Sequence, residues 1–260
     1  MIQGDSYHSQ PASVSWIGRR FPSLCFYQKF IANVLRSSAM ARREQYGDEE
    51  WTVSSYKVLK DLEALGAPAE ITGLEHVRQL DSPCVFVANH MSTLETMVLP
   101  AIIQPIRDVT FVVKQSLLDY PVFKHIATAR DPIAVARDNP REDLKAVING
   151  GIDRLGRGIS VVVFPQTTRS STFDPQKFNT IGIKLAVKAK VPIIPVALQT
   201  DAWGNGKWIK DFGPVDPSKP VRFAFGPPIQ IEGRGADQHK EVIHFIETKL
   251  QHWNRGDAAR

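Results

Sequence analysis

Cysteine is scarce in this chain. Only Cys25 and Cys84 occur, far apart, with no Cys-x-x-Cys and no His/Cys cluster around them. That speaks against a disulfide scaffold and against a zinc finger. The two thiols read as reduced, in a reducing compartment, and no bound metal is expected. Long hydrophobic runs are missing too. The longest, near Val161–Phe164 and Val191–Leu198, are strand-sized and fall well short of the ~18 residues of a spanning helix. The start, Met1-Ile2-Gln3-Gly4-Asp5-Ser6, lacks the basic-then-apolar pattern of a secretory signal. No Gly-x-Gly-x-x-Gly follows a strand-like segment. Gly204-Asn205-Gly206-Lys207 has neither the upstream glycine nor the following Ser/Thr of a P-loop, so nucleotide binding is disfavoured.

Acid is absent from residues 13–43, and this absence is informative. The chain of 260 residues carries a net charge of +5. Residues 13–43 hold Arg19, Arg20, Lys29, Arg36, Arg42 and Arg43, so they contribute +6 and the remainder is at −1. The same segment contains Trp16, Phe21, Phe26, Tyr27 and Phe30. Pro22 suits a first helical position. Leu24, Tyr27, Ile31, Val34 and Leu35 then recur at helical spacing, with Phe26 and Phe30 widening the apolar face. Two readings remain open: a basic amphipathic helix facing a membrane surface, or a helix packed on the domain with a solvated basic edge. Nucleic acid is disfavoured as a partner, because the basic residues interleave with a broad apolar face. Trp203 and Trp208 admit interfacial roles as well, although aromatic residues in such a loop are more often buried.

The rest of the chain alternates strand-like and helix-like segments. A second helix is expected from about Thr52 to Leu65. Weak or short strands are expected at Ile71–Val77, Cys84–Ala88, Val109–Val113 and Pro132–Ala136, and later ones at Ile159–Phe164, Ile193–Leu198 and Val221–Phe225. Helices fall between them, and residues 1–12 read as loose. Gly150 and Gly151 weaken the expected helix from Glu142 to Leu155. This order predicts an α/β fold with a largely parallel central sheet behind an N-terminal helical pair. The expected division is a helical segment over 1–66 and an α/β domain over 67–260, with its core motifs in 84–200.

In open α/β sheets ligands sit beyond the carboxyl ends of the strands. The residues just past each strand are therefore informative. Asn89 and His90 come after Cys84–Ala88, with Met91-Ser92-Thr93-Leu94-Glu95 next. Lys114 comes after Val109–Val113, and Arg137 after Pro132–Ala136. Pro165-Gln166-Thr167-Thr168-Arg169-Ser170 comes after Ile159–Phe164. One imidazole, one carboxylate and three cations on one rim suit general-base chemistry on an anionic substrate. Each residue also has a plainer reading. His90 can close a strand end. Ser92 and Glu95 fit a capping box. Arg137 and Arg169 suit surface ion pairs, and Lys114 a solvated strand end. Residues five apart on one helix diverge by about 140°. A His90–Glu95 pair therefore needs His90 in the turn ahead of the helix and Glu95 in its first turn.

With these residues in place, the sequence resembles the glycerophospholipid acyltransferase family, of the lysophosphatidic-acid acyltransferase type. The family's His-x4-Asp motif is matched by His90 to Glu95. Its Gly-x-Ile-x-x-x-Arg block is matched by Asp131-Pro132-Ile133-Ala134-Val135-Ala136-Arg137. Its Phe-Pro-Glu-Gly-Thr-Arg block is matched by Phe164-Pro165-Gln166-Thr167-Thr168-Arg169, and its Val-Pro-Ile-x-Pro-Val block by Val191-Pro192-Ile193-Ile194-Pro195-Val196. The match covers about residues 71–200, with all four blocks in order.

The resemblance implies a peripheral membrane enzyme of phospholipid biosynthesis on the cytoplasmic side. Its partners would be an acyl thioester donor, acyl-CoA or acyl carrier protein, and a lysophospholipid-like acceptor, with no further cofactor. His90 would take the acceptor's proton, which an imidazole can do near neutral pH, and Glu95 would orient it. Arg137, Gln166, Thr167, Thr168, Arg169 and Lys114 would bind substrate. Glu95 in place of Asp keeps the charge and changes the reach. Gln166-Thr167 in place of Glu-Gly removes a charge and a glycine. These departures fall on the acceptor side, and leave open a non-catalytic lipid-binding relative or an enzyme for a different lipid acceptor.

Overall fold

The computed structural model describes residues 2, 4–166 and 168–258. In chain order its elements are β1 (Tyr7–His8), α1 (Trp16–Arg20), α2 (Pro22–Ala41), α3 (Asp48–Glu63), β2 (Ala69–Thr72), α4 (Leu74–Arg78), β3 (Val85–Ala88) and α5 (Leu94–Ile103). Next come β4 (Val109–Lys114), α6 (Phe123–Thr128), β5 (Ile133–Val135), α7 (Pro140–Gly156), β6 (Ser160–Val163), α8 (Ile181–Ala189), β7 (Ile193–Gln199), β8 (Val221–Phe225) and α9 (Ala236–Ala258). The strands form one sheet in the order β1-β2-β8-β7-β3-β6-β4-β5. From β7 to β5 every pairing is parallel. β8 runs antiparallel to β7, and β1 antiparallel to β2. The largely parallel α/β sheet expected from the sequence is therefore present.

Alternation along the central strands divides the core in two. Phe86, Ala88, Val162, Ile194, Val196 and Leu198 point to the face covered by α2, α3, α4 and α5. Val85, Val87, Val161, Val163, Ile193 and Ala197 point to the face covered by α7, α8 and α9. Burial on both faces explains why these strands read as near-continuous apolar runs. Gly150 and Gly151 do not end α7. A side chain at 151 would lie 2.5 Å from Leu185, so the glycine is what lets α7 approach α8.

Two expectations need correction. Ile71–Val77 is not one strand. Gly73 has φ +84°, and a Cβ there would stand 2.0 Å from the Phe225 carbonyl oxygen, so the chain turns there from β2 into α4. Residues 1–12 are not wholly loose. Tyr7 and His8 pair with Ile71 and Glu70, and the Tyr7 hydroxyl donates to Glu63 at 2.7 Å. On α2, where two readings were open, the apolar stripe is split: Tyr27 and Val34 are half-buried against the core and the rest of the stripe faces outward. Phe26 and Phe30 are the buried pair, packed edge-on against buried Trp203, whereas Leu24, Ile31 and Leu35 are exposed. The helix is apolar around much of its girth, and only one side meets the domain. Among the described residues no helix is long and apolar enough to cross a membrane.

Candidate active site

Because β3, β6, β4 and β5 are adjacent and parallel, their carboxyl ends share one edge of the sheet. His90 stands just beyond β3, and α5 begins at Leu94. The turn between them does what a continuous helix cannot: it brings the His90 Nδ1 to 2.8 Å from Glu95 Oε1. The imidazole also stacks on Phe164, with ring centroids 4.4 Å apart and planes 20° from parallel. Nδ1 is thereby committed, and the ring is held on one face.

Glu95 is fully buried. Its carboxylate accepts from the Met91 and Ser92 backbone N–H groups at 2.6 and 2.9 Å, from Ser92 Oγ at 2.9 Å and from Thr200 Oγ1 at 2.5 Å. Burial pushes this carboxyl up. The hydrogen bonds and charge of His90, with Thr200 and Ser92, outweigh burial and hold it below its ordinary value. The capping and dyad readings of Glu95 hold together. The same carboxylate reaches back to the turn's N–H groups and receives the imidazole, while Ser92 Oγ accepts from the Leu94 N–H at 3.0 Å.

The segment after β6 clamps the His90 backbone from both sides. Gln166 is buried, and its Oε1 accepts from the His90 N–H at 2.7 Å. The Ser170 N–H donates to the His90 carbonyl at 3.0 Å. The geometry therefore places Gln166 behind the histidine, where its neutral amide oxygen satisfies the His90 N–H, and not in the substrate-binding place expected for it. Arg169 donates to Thr93 Oγ1 and to Asp211 Oδ1, the latter at 2.5 Å. Arg137 sits beyond β5 in the left-handed region, with φ +67°, and its N–H donates to Asp143 at 3.1 Å. Neighbouring protein atoms partly desolvate its guanidinium. That effect first, and the charge of Arg169 second, pull it below the ordinary arginine value against the opposing pull of Asp143. The two arginines thus lie within electrostatic reach of each other. Lys114 ends β4, exposed, and Thr168 is exposed on the loop; Thr167 lies outside the described residues.

Several residues take part in ways that the sequence did not assign. Asn89 is buried and bridges to β7, donating to the Leu198 carbonyl at 2.9 Å and accepting from its N–H at 2.8 Å. This pair fixes the carboxyl end of β3 from which His90 departs. Thr200 comes just after β7, so the same strand-end rule applied to Ile193–Leu198 points to it. Asp211 and Asn205 come from the 200–220 loop, where no short-range pattern marks them. Among the described residues no His/Cys/Asp/Glu cluster is arranged to hold a metal.

The family model for acyltransferases matches residues 68–199, which span the dyad turn, both arginines and Thr93. This chain belongs to the acyltransferase family. It is 32% identical over 184 residues to a 1-acyl-sn-glycerol-3-phosphate acyltransferase of Pseudomonas aeruginosa, covering 70% of this chain and 67% of that one. It is 25% identical over 183 residues to an enzyme of the same name from Limnanthes alba, covering 70% of this chain and 61% of the other. The crystal structure of the 1-acyl-sn-glycerophosphate acyltransferase PlsC from Thermotoga maritima has the same fold. It superposes with a TM-score of 0.68 at 19% identity, over 89% of this chain and 94% of that one. The protein is accordingly an O-acyltransferase, in which Glu95 stands where the His-x4-Asp motif has its aspartate.

Proposed function

We propose that this enzyme transfers a fatty acyl group from an acyl thioester to the free hydroxyl of lysophosphatidic acid. The observation that carries the reading is the 2.8 Å His90 Nδ1–Glu95 contact on a fully buried carboxylate, beside an arginine-bearing loop. With Nδ1 held by Glu95, Nε2 is the nitrogen that takes the acceptor's proton. The resulting oxygen attacks the thioester carbonyl. The tetrahedral adduct collapses, the C–S bond breaks, and the thiolate leaves and collects the proton from the imidazolium. Glu95 stabilises that imidazolium and keeps its own charge, as its depressed titration favours. The thioester is already activated, so the chain's own groups suffice, and either acyl-CoA or acyl carrier protein can serve as donor.

Arg169 and Arg137 supply forked donors for the acceptor phosphate. Lys114, on the neighbouring strand end, adds positive charge to the same rim. The names of the relatives support the phosphate-bearing acceptor. The enzyme works as a peripheral protein on the cytoplasmic face of a membrane. Trp16, Ile17, Phe21, Leu24, Ile31 and Leu35 are exposed on α1 and α2 and their junction. The six basic residues of 13–43 are all exposed among them, which matches an anionic bilayer surface.

The test uses the purified full chain with one acyl-CoA and one acyl-carrier donor over a panel of lyso-lipid acceptors, read by mass spectrometry. Acylation of lysophosphatidic acid by the wild type, lost in a folded His90→Ala variant, supports the reading. Full activity in His90→Ala refutes the mechanism, and turnover of every acceptor except lysophosphatidic acid refutes the acceptor.

A further inference from the structure

The loop between β7 and β8 crosses the turn that carries the dyad. Asn205 Nδ2 donates to the Met91 carbonyl at 2.9 Å. At the other end of the loop the Tyr27 hydroxyl donates to the Gly213 carbonyl at 2.6 Å. Buried Trp203 donates through Nε1 to that same hydroxyl at 2.9 Å. The neck is packed backbone on backbone. The Gly204 N–H donates to the Pro214 carbonyl at 2.9 Å, and a Cβ on Gly213 would fall 1.8 Å from the Gly204 oxygen.

Beyond the neck, residues 207–212 project outward, with Trp208 98% exposed and Ile209 and Phe212 about half exposed. The Gly206 N–H donates to the Lys210 carbonyl at 3.2 Å within the loop, and Asp211 ties this tip to the segments around the dyad. Its carboxylate takes Arg169 Nη2 at 2.5 Å and Thr93 Oγ1 at 3.3 Å. Phe212 adds a ring contact with Tyr27.

Arg169 therefore already holds an anion. Thr93 occupies one guanidinium nitrogen and Asp211 the other. A phosphate monoester needs the same fork. A second anion beside an undisturbed carboxylate meets repulsion at short range.

We propose that Asp211 is a specificity-determining residue: an internal carboxylate that fills the Arg169 fork until the acceptor's phosphate monoester displaces it. This inference rests on lysophosphatidic acid being the acceptor. A monoester carries about −1.5 to −2 charges near neutral pH, against −1 for a phosphodiester or a carboxylate. The monoester wins the exchange and the diester does not, so the tip opens for one head-group class.

The test compares wild type with Asp211→Asn as full chains, on lysophosphatidic acid and on lysophosphatidylglycerol with one acyl-CoA. Hydrogen exchange of residues 207–212 is followed in parallel. In Asp211→Asn the KM for lysophosphatidic acid falls about three- to tenfold, with the effect on KM larger than that on kcat. The preference for the monoester over the diester narrows by a similar factor. Without ligand, the variant's tip exchanges as fast as the wild-type tip does under saturating lysophosphatidic acid. A higher KM in the variant makes Asp211 a support for Arg169 and overturns the proposal, as does an unchanged KM. If the wild type fails to acylate lysophosphatidic acid, the acceptor reading falls instead. The latch is then judged on exchange alone: faster exchange in ligand-free Asp211→Asn supports it, and wild-type protection of 207–212 overturns it.

Discussion

Glu95→Gln is the substitution that tests the site most sharply. Five donors converge on this carboxylate: His90 Nδ1, the Met91 and Ser92 N–H groups, Ser92 Oγ and Thr200 Oγ1. Glutamine fills the same volume but offers one acceptor oxygen and turns an NH2 toward groups that are themselves donors. The two hydroxyls can rotate away; the backbone N–H groups cannot. The side chain is fully buried, so no water makes up the loss. One or two orphaned N–H groups at ~1–3 kcal/mol each give a destabilisation of about 2–4 kcal/mol. The rate falls further than stability alone would suggest, because the imidazolium loses its counter-charge and its fixed tautomer. The expected loss in kcat is on the order of 10³-fold. Glu95→Asp keeps the charge and withdraws it by one methylene, ~1.5 Å, so it should lose roughly 10–100-fold through misplacement. Initial rates with acyl-CoA and lysophosphatidic acid, paired with thermal melts, check both variants. His90→Ala is the control, since it should remove activity while leaving Glu95 its other donors. A Glu95→Gln protein that keeps more than a tenth of wild-type kcat with an unchanged melting temperature refutes this account of the buried carboxylate.

The depressed titration of Glu95 sets a pH window. Its folded-state value lies below the ordinary 4.5, so its contribution to stability is complete above about pH 4.5 and is lost as pH falls through the folded value. The stability difference between wild type and Glu95→Gln should therefore shrink below that pH in denaturant titrations; a constant difference down to about pH 3 would contradict it. Gly73→Ala should cost at least ~2 kcal/mol, from the left-handed backbone and the collision with the Phe225 carbonyl. Its urea midpoint should fall at constant slope, and a wild-type midpoint would show that β2 and α4 are joined differently. The triple change of Leu24, Ile31 and Leu35 to Ser touches only exposed positions. It should leave the melting temperature within a few degrees while binding to anionic vesicles drops at least about tenfold. Undiminished co-sedimentation would remove α2 from the membrane contact.

Much of the site was legible because strand ends carry it. Apolar runs covered on both faces identify the central strands. The residue just beyond each parallel strand then belongs to one edge, whatever the helices do. His90, Arg137 and Arg169 come from that rule, and Glu95 from the one geometry that lets residues five apart meet. The role of Gln166 was not legible. A glutamine after a strand is equally suited to face a substrate, and only the position of the His90 N–H shows that it faces inward. The orientation of α2 was not legible either, since its apolar residues cover too much of its circumference for spacing to choose a buried side. Phe26 and Phe30 are selected by Trp203, a residue far along the chain.

The parallel α/β sheet, the placement of His90 and Glu95 about one strand–helix turn and the concentration of positive charge in residues 13–43 are readable in the sequence alone. These arise from local periodicity and from residue types at fixed spacing. The tertiary structure alone decided what those residues do to one another. Thr200 completes the shell of Glu95, Gln166 and Ser170 clamp His90, and Asp211 closes on Arg169, each from a segment far away in the chain. Hydrogen bonds act over about 3 Å in space and carry no signature in sequence separation. A strand end can announce which chemical groups arrive at the rim; only packing determines which of them meet there.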